Sequence, residues 1–363
     1  MSSATQSLQR LLSGNTRSAV RTTVTPARMS STSTTSARQP WHKGFDPARE
    51  DQTCTLPDGR KLGFAEYGSP SGTPLFLFHG APGTRWDGIG YEEESKLLDV
   101  RIICPDRPGH GLSSPQPNRK ILDYPADISA LARHLGINKY HIAGQSGGGP
   151  YVSVCAYASP EDELLNSTII AGMIPPEGVS AKSAGYYTTA VLALYRLIPN
   201  TVIWLTDYFY PPSFWADDKK VQRQLDFAYK FLPKEDKDEI ARPSTQPAIR
   251  AILREAFRQG SAGVVQDAII FGQPYGFELK DVKRHIKLFY GREDNRTPPA
   301  FGEYYHKHLP SSALTIMENK SHFRLDDVSL DMIAAAVGKE DLITPEMRKT
   351  LAEKVEEIKR DGP

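Results

Sequence analysis

The stretch Tyr140-His141-Ile142-Ala143-Gly144-Gln145-Ser146-Gly147-Gly148-Gly149-Pro150 decides the reading of this chain. A short apolar run, Tyr140 to Ala143, leads into Gly-x-Ser-x-Gly, and helical sequence follows. In that setting the pattern reads as a strand that turns sharply into a helix, with a serine at the turn. Such a turn holds the serine in a strained conformation, and the residues two before and two after it must be small for strand and helix to approach. Gly144 and Gly148 meet that need. The helix then points its positive N-terminal end back at the serine. Five letters alone are a weak signal; the strand before and the helix after give them weight. The competing reading is a glycine-rich turn with an idle serine.

On either side of this turn, short apolar runs bounded by turn residues occur at Leu75 to Phe78, Arg101 to Cys104, Ser167 to Ala171, Ile286 to Tyr290 and Ala313 to Met317. Helix-length segments separate most of them. Thr53 to Leu56 and Lys61 to Tyr67 flank Pro57-Asp58-Gly59, which is hairpin chemistry. Strands alternating with helices imply an α/β fold with a mostly parallel sheet covered on both faces. After Met173 the rhythm gives way to helical and aromatic sequence until Ile286, which reads as an inserted helical cap. The expected layout is a core over 52–173 and 281–338, a cap over 174–280 and a helical tail over 339–363. The tail's helix opens on Thr344-Pro345-Glu346 and places Met347, Leu351, Val355 and Ile358 on one face.

A serine hydroxyl is a poor nucleophile at neutral pH and needs a base, which in turn needs an orienting acid. Tyr290-Gly291-Arg292-Glu293-Asp294 closes an apolar strand ahead of Pro298-Pro299, so Asp294 falls in a loop at a strand's carboxyl end, where open α/β sheets place their sites. Glu293 is the nearest rival. After the next strand, Asn319-Lys320-Ser321-His322-Phe323 puts His322 in a comparable loop. His42 precedes the expected fold, His134, His141, His285, His306 and His308 lack a site context, and His110 reads as shaping a tight turn. An acyl-transfer site also needs amide donors where charge develops on the carbonyl oxygen. The Gly147 N–H is one. The loop His79-Gly80-Ala81-Pro82-Gly83 offers the other, and because Pro82 has no N–H the choice falls on Ala81.

His79 to Gly83, Pro105 to Ser113, the turn at Ser146, Tyr290 to Pro298 and Ser321-His322 together resemble the capped α/β-hydrolase superfamily, over about Gln52 to Gly338. The stretch Gly260 to Val282, with Asp267 and Pro274-Tyr275-Gly276-Phe277, looks like fungal and bacterial members of uncertain substrate. The resemblance implies an eight-stranded, mostly parallel sheet, a lid after the sixth strand, and a triad of Ser146, Asp294 and His322 with donors Ala81 and Gly147. Epoxide hydrolases and haloalkane dehalogenases of this fold use an aspartate nucleophile, so a serine at 146 counts against both. Where some relatives place the acid after the sixth strand, this chain has Gly172-Met173-Ile174, which favours Asp294.

The expected reaction is hydrolysis of an ester, thioester or lactone of a small to medium apolar substrate, without cofactor or metal. Tyr187, Trp204, Tyr208 and Trp215 are the expected substrate-binding residues of the cap. Two alternatives stay open: an aminopeptidase resembling proline iminopeptidases, with Asp207, Asp217, Asp218 or Asp226 holding an amine, and a ligand receptor of the same fold with slow or no turnover.

The 363 residues carry a formal net charge of +1, 39% hydrophobic and 24% charged residues, which leaves no global field to attract nucleic acid. The partner expected is a small molecule, and the oligomeric state is not set by the sequence. Three cysteines, Cys54, Cys104 and Cys155, are spaced like core residues in a reducing compartment. The longest apolar stretch, Tyr186 to Tyr210, is broken by Arg196, Pro199-Asn200 and Asp207, so no membrane span is expected. Glycans on the Asn-x-Ser/Thr triplets at Asn295 and Asn319 would crowd the site, which argues for an intracellular chain. Residues 1–45 lack Asp and Glu and are rich in Ser, Thr and Arg. Arg10, Arg17 and Arg21 gather on one helical side opposite Leu8, Leu11 and Leu12, the pattern of a mitochondrial transit peptide. A disordered polar tail on a cytoplasmic enzyme fits as well, and initiation at Met29 would remove the amphipathic part.

Overall fold

The computed structural model describes residues 42, 44–179, 194, 197–215, 217–230, 232–242, 245–325 and 328–361. Both readings of the N-terminal segment, and Tyr187, lie outside these residues.

Among the described residues, eight strands form one sheet in the order β1-β2-β4-β3-β5-β6-β7-β8. β1 (Gln52–Thr55) and β2 (Lys61–Gly68) pair antiparallel across the Pro57-Asp58-Gly59 turn, where Gly59 takes φ +84°. β2 is also antiparallel to β4 (Val100–Pro105). The other pairings are parallel, through β3 (Thr73–Phe78), β5 (Tyr140–Gln145), β6 (Leu164–Ile170), β7 (Ile286–Gly291) and β8 (Ser312–Met317). Leu75, Phe76, Leu77 and Phe78 are all buried, as a central strand covered on both faces requires.

On one face α1 (Glu92–Leu97), α2 (Ser329–Val337) and α3 (Pro345–Asp361) pack. Leu75, Leu77 and Ile102 of the sheet meet Leu330, Ile333 and Leu351 there. Met347 and Val355 add to this contact, whereas Ile358 stays exposed. The other face carries α4 (Tyr124–His134), α5 (Gly149–Ala158) and α6 (Pro299–His308). Ile128, Leu131, Val152 and Phe301 close over Phe76, Phe78 and Ile142. Each such side chain contributes about 1.5–3 kcal/mol by leaving water. All three cysteines are buried and free.

The chain runs from β3 outward to β4, then crosses back to place β5 on β3's other side, with Phe78 opposite Gly144. This reversal opens a crevice at the carboxyl ends of β3 and β5, the usual ligand position in open α/β sheets.

Between β6 and β7 lie α7 (Pro199–Phe209), α8 (Asp218–Tyr229), α9 (Lys234–Ile240), α10 (Thr245–Ala256) and α11 (Ala262–Phe271). Asp217 caps α8 by accepting from the N–H groups of Lys219 and Lys220. This insert has a small core of its own, built from Trp215, Val221, Leu225, Ala256 and Phe257.

The folded part begins earlier than Gln52. Asp46 caps a single helical turn, Pro47–Glu50, and buried Glu50 bonds to His42 and to the Tyr67 hydroxyl. His42 is therefore docked on the fold instead of preceding it. No helix among the described residues is long and apolar enough to cross a membrane.

Candidate active site

Ser146 follows β5 directly and takes φ +53°, a left-handed conformation uncommon outside glycine. The surrounding glycines permit it. A Cβ at Gly144 would lie 2.5 Å from the Gly148 carbonyl oxygen, and one at Gly148 would lie 2.2 Å from that of Phe78. Strand and helix approach more closely here than any side chain allows. The turn lifts half-buried Ser146 into the crevice, while its carbonyl accepts from Met173 N at 2.9 Å.

His322, in the loop after β8, sets Nε2 3.1 Å from Ser146 Oγ and Nδ1 2.7 Å from Asp294 Oδ2. Asp294, in the loop after β7, is fixed by the N–H groups of Arg296 and Thr297 on Oδ1 and by the Thr297 hydroxyl on Oδ2. Burial by itself would raise the Asp294 pKa. Attraction to His322 and these hydrogen bonds outweigh it and hold the carboxyl below its usual range. An ionised Asp294 accepts a hydrogen bond from Nδ1–H, so the Nε2 lone pair faces the serine hydroxyl. Glu293 is exposed and makes no part of this chain of contacts.

Ala81 N lies 3.1 Å from where a Cβ on Gly147 would sit, so the loop carrying Ala81 passes close beside the residue that follows Ser146. The loop carrying Ala81 is heavily braced. Arg107 N donates to His79 Nε2 at 3.1 Å, which leaves Nδ1 to donate to Gly80 O at 2.9 Å. The Arg107 guanidinium donates to His79 O and Gly80 O at 2.5 and 2.6 Å. Burial, aided by the Arg107 charge, pushes the His79 pKa well down, in keeping with a neutral ring that accepts at Nε2. Asp87 accepts from Gly80 N and Thr84 N at 3.0 and 3.1 Å. Its burial pushes its pKa up to about 6 against the pull of those bonds.

Sequence reasoning gave Arg107 no role, nor its partners Asp267, Arg119 and Tyr151. Only the position of Arg107 and Asp267 inside family-like stretches pointed to them. Arg85, fully buried, likewise joins Asp106 to Glu255 of the insert. His110, expected only to shape a turn, sits buried 3.4 Å from Asp267.

Three of the four cap residues expected to bind substrate, Trp204, Tyr208 and Trp215, are placed elsewhere. Trp215 is buried in the insert's own core, stacked on Phe257 at 4.2 Å. Trp204 and Tyr208 are 63% and 68% exposed, stacked on each other. Tyr208 lines a surface hollow with Phe209, Phe214, Lys220 and Arg223 that includes neither Ser146 nor His322. Among the described residues, an aromatic side chain that does reach the site is Phe271, whose ring edge comes within 3.2 Å of a Cβ position on Gly147. The four carboxylates weighed as holders of a substrate amine are also engaged. Asp207 accepts from Ser261 N, Asp217 caps α8, Asp218 pairs with Arg254 and Asp226 bonds Gln222.

A sequence model of the alpha/beta hydrolase family matches residues 75–336, which span the crevice and all these loops. The chain belongs to the alpha/beta hydrolase family. It is similar to the uncharacterised hydrolase YcgS of Bacillus subtilis (strain 168), 28% identical over 146 residues, 40% of this chain and 49% of that protein. It is also similar to a proline iminopeptidase of Neisseria meningitidis serogroup A, 29% identical over 158 residues, 41% of this chain and 46% of the other. The chain thus spans about half the length of these curated relatives. Among solved structures it is similar to an esterase from Exiguobacterium antarcticum, with a TM-score of 0.55 and 18% identity, covering 84% of this chain and 99% of that one. At that identity the likeness is one of fold.

Proposed function

We propose that the protein is a serine hydrolase that cleaves an ester, thioester or lactone of a small to medium apolar substrate through an acyl-Ser146 intermediate. The observation that carries this reading is the unbroken relay from Asp294 through His322 to a serine held at φ +53°. Ser146 Oγ attacks the carbonyl carbon while His322 Nε2 takes its proton, and Asp294 stabilises the imidazolium. The carbonyl oxygen becomes an oxyanion received by the N–H groups of Ala81 and Gly147. The imidazolium returns the proton to the leaving alcohol or thiol as the carbonyl re-forms. Water, deprotonated by His322, then repeats the sequence on the acyl-serine and frees the acid.

Residues 174–280 act as a cap in this reading. Phe271 supplies an apolar wall beside Gly147, and Asp236 Oδ1 accepts from the N–H of Phe323, next to His322, at 3.0 Å. Asp236 also sustains a second reading, an aminopeptidase. It is fully buried and its Oδ2 has no hydrogen-bond partner among the described residues, so it could receive a substrate amine. The similarity to a proline iminopeptidase adds to this reading. Stopped-flow turnover of p-nitrophenyl acetate, butyrate and octanoate beside proline and alanine p-nitroanilides separates the two. The ester reading expects a burst with the esters and at most trace hydrolysis of the anilides. Faster anilide turnover, lost in Asp236→Asn, would replace it with the aminopeptidase. No burst and no turnover on either series would leave a binding protein.

A further inference from the structure

We propose that Arg107, held from the insert by Asp267, is the positioning residue of the donor loop: it fixes and polarises the Gly80–Ala81 peptide so that the Ala81 N–H faces the oxyanion. The inference rests on the acyl-transfer reading above. Gly80 C=O and Ala81 N–H are the two ends of one planar peptide, so a group that orients the carbonyl orients the N–H in the opposite direction. Gly80 O receives Arg107 Nη2 at 2.6 Å together with His79 Nδ1 at 2.9 Å. A charged donor on the carbonyl draws electron density from the amide, which strengthens the N–H as a donor in its turn. The preceding peptide is gripped at both ends as well, by Arg107 Nη1 on His79 O and by Asp87 on Gly80 N.

Arg107 cannot hold this posture alone, because it is fully buried and a buried guanidinium needs a counter-charge. Asp267 of α11 supplies it, with Oδ2 accepting from Arg107 Nε at 2.7 Å. Its other oxygen accepts from Arg119 and from the Tyr151 hydroxyl, so the carboxylate itself has little freedom. The nearby His110, whose pKa burial lowers to about 4, adds no charge at neutral pH. The helix that carries Asp267 also carries Phe271 to Gly147. One element of the insert therefore sets both the apolar wall and, through Arg107, one oxyanion donor.

The test is Asp267→Asn, compared with wild type on p-nitrophenyl butyrate with active sites counted by fluorophosphonate titration. A misdirected donor weakens the transition state more than the bound ester. Since losing a whole donor costs about 10²–10³ in kcat, we expect kcat per titrated site to fall about 10- to 100-fold with KM within about threefold. The fluorophosphonate inactivation rate should fall in parallel, because the phosphoryl oxygen uses the same donors. If Asp267→Asn does not fold, Tyr151→Phe, which removes a single hydroxyl from the carboxylate, should show a fall of about two- to fivefold with the same split. Unchanged kcat per site in a folded Asp267→Asn, or in Tyr151→Phe where that is the variant measured, overturns the positioning role alone. Failure of wild type to react with fluorophosphonate overturns the acyl-transfer reading, and this role with it.

Discussion

Asp294, His322 and Ser146 come from three separate loops yet meet within 2.7 and 3.1 Å, and in the proposed mechanism they act as a unit. His322→Ala should therefore lose nearly as much as Ser146→Ala, about 10⁶ in kcat, while Asp294→Asn loses about 10⁴ because the acid only orients the base and steadies its charge. Glu293→Gln, on an exposed side chain, should be silent in the same steady-state assay; damage there with a silent Asp294→Asn would reassign the acid. The direction of the Asp294 shift carries a stability consequence. Its folded pKa lies below the unfolded value, so its contribution is present above about pH 4 and is lost as pH falls through the lower folded value. Denaturant titrations from pH 7 to pH 3 should show a shallower acid decline for Asp294→Asn than for wild type. At this scale the sequence was informative because strand ends announce themselves. Ser146, Asp294 and His322 each follow the end of an apolar run within five residues, so order along the chain became order in space.

The turn after β5 is an element whose residues leave no slack. In Gly148→Ala the new Cβ would meet Phe78 O, which is backbone and cannot swing aside. Overpacking of this kind costs about 1–3 kcal/mol, and calorimetry should show the loss together with reduced turnover from a displaced serine. The insert answers differently. Trp215→Ala should cost about 3–5 kcal/mol in the stability of that packing and be seen as faster proteolysis between β6 and β7. Trp204→Ser and Tyr208→Ser should leave kcat/KM for butyrate esters within about twofold. Aromatic density in the sequence marked this insert as a packed helical unit, but nothing in it separates a ring that lines the site from one that fills the insert's own core. The strands were easier. β3, β5 and β8 begin within two residues of the apolar runs that announced them, whereas β6 starts at Leu164, ahead of Ser167, because the polar Asn166 interrupts the apolar signal.

Across the whole molecule, the contacts that sequence reasoning missed are long in range. Arg107 and Asp267 stand 160 residues apart and Arg85 and Glu255 170 apart, with no local spacing to betray either pair. Both tie the insert to the sheet end that carries the crevice, and both are buried ion pairs whose disruption leaves an uncompensated charge. Asp267→Ala should accordingly cost about 3–5 kcal/mol in global stability, measured by denaturant unfolding. The N-terminal segment tests a different property of the whole chain. A fluorescent protein fused to residues 1–40 should reach mitochondria if the transit reading holds, and a uniformly cytosolic signal would leave the polar tail. The central claim, a nucleophilic Ser146 armed by its relay, is tested most directly by intact-mass and peptide-mass analysis after reaction with a fluorophosphonate. The account predicts one adduct per chain, on the peptide containing Ser146, formed quickly by wild type, far more slowly by His322→Ala and not at all by Ser146→Ala. An adduct on another serine, or none on the wild-type protein, would contradict it.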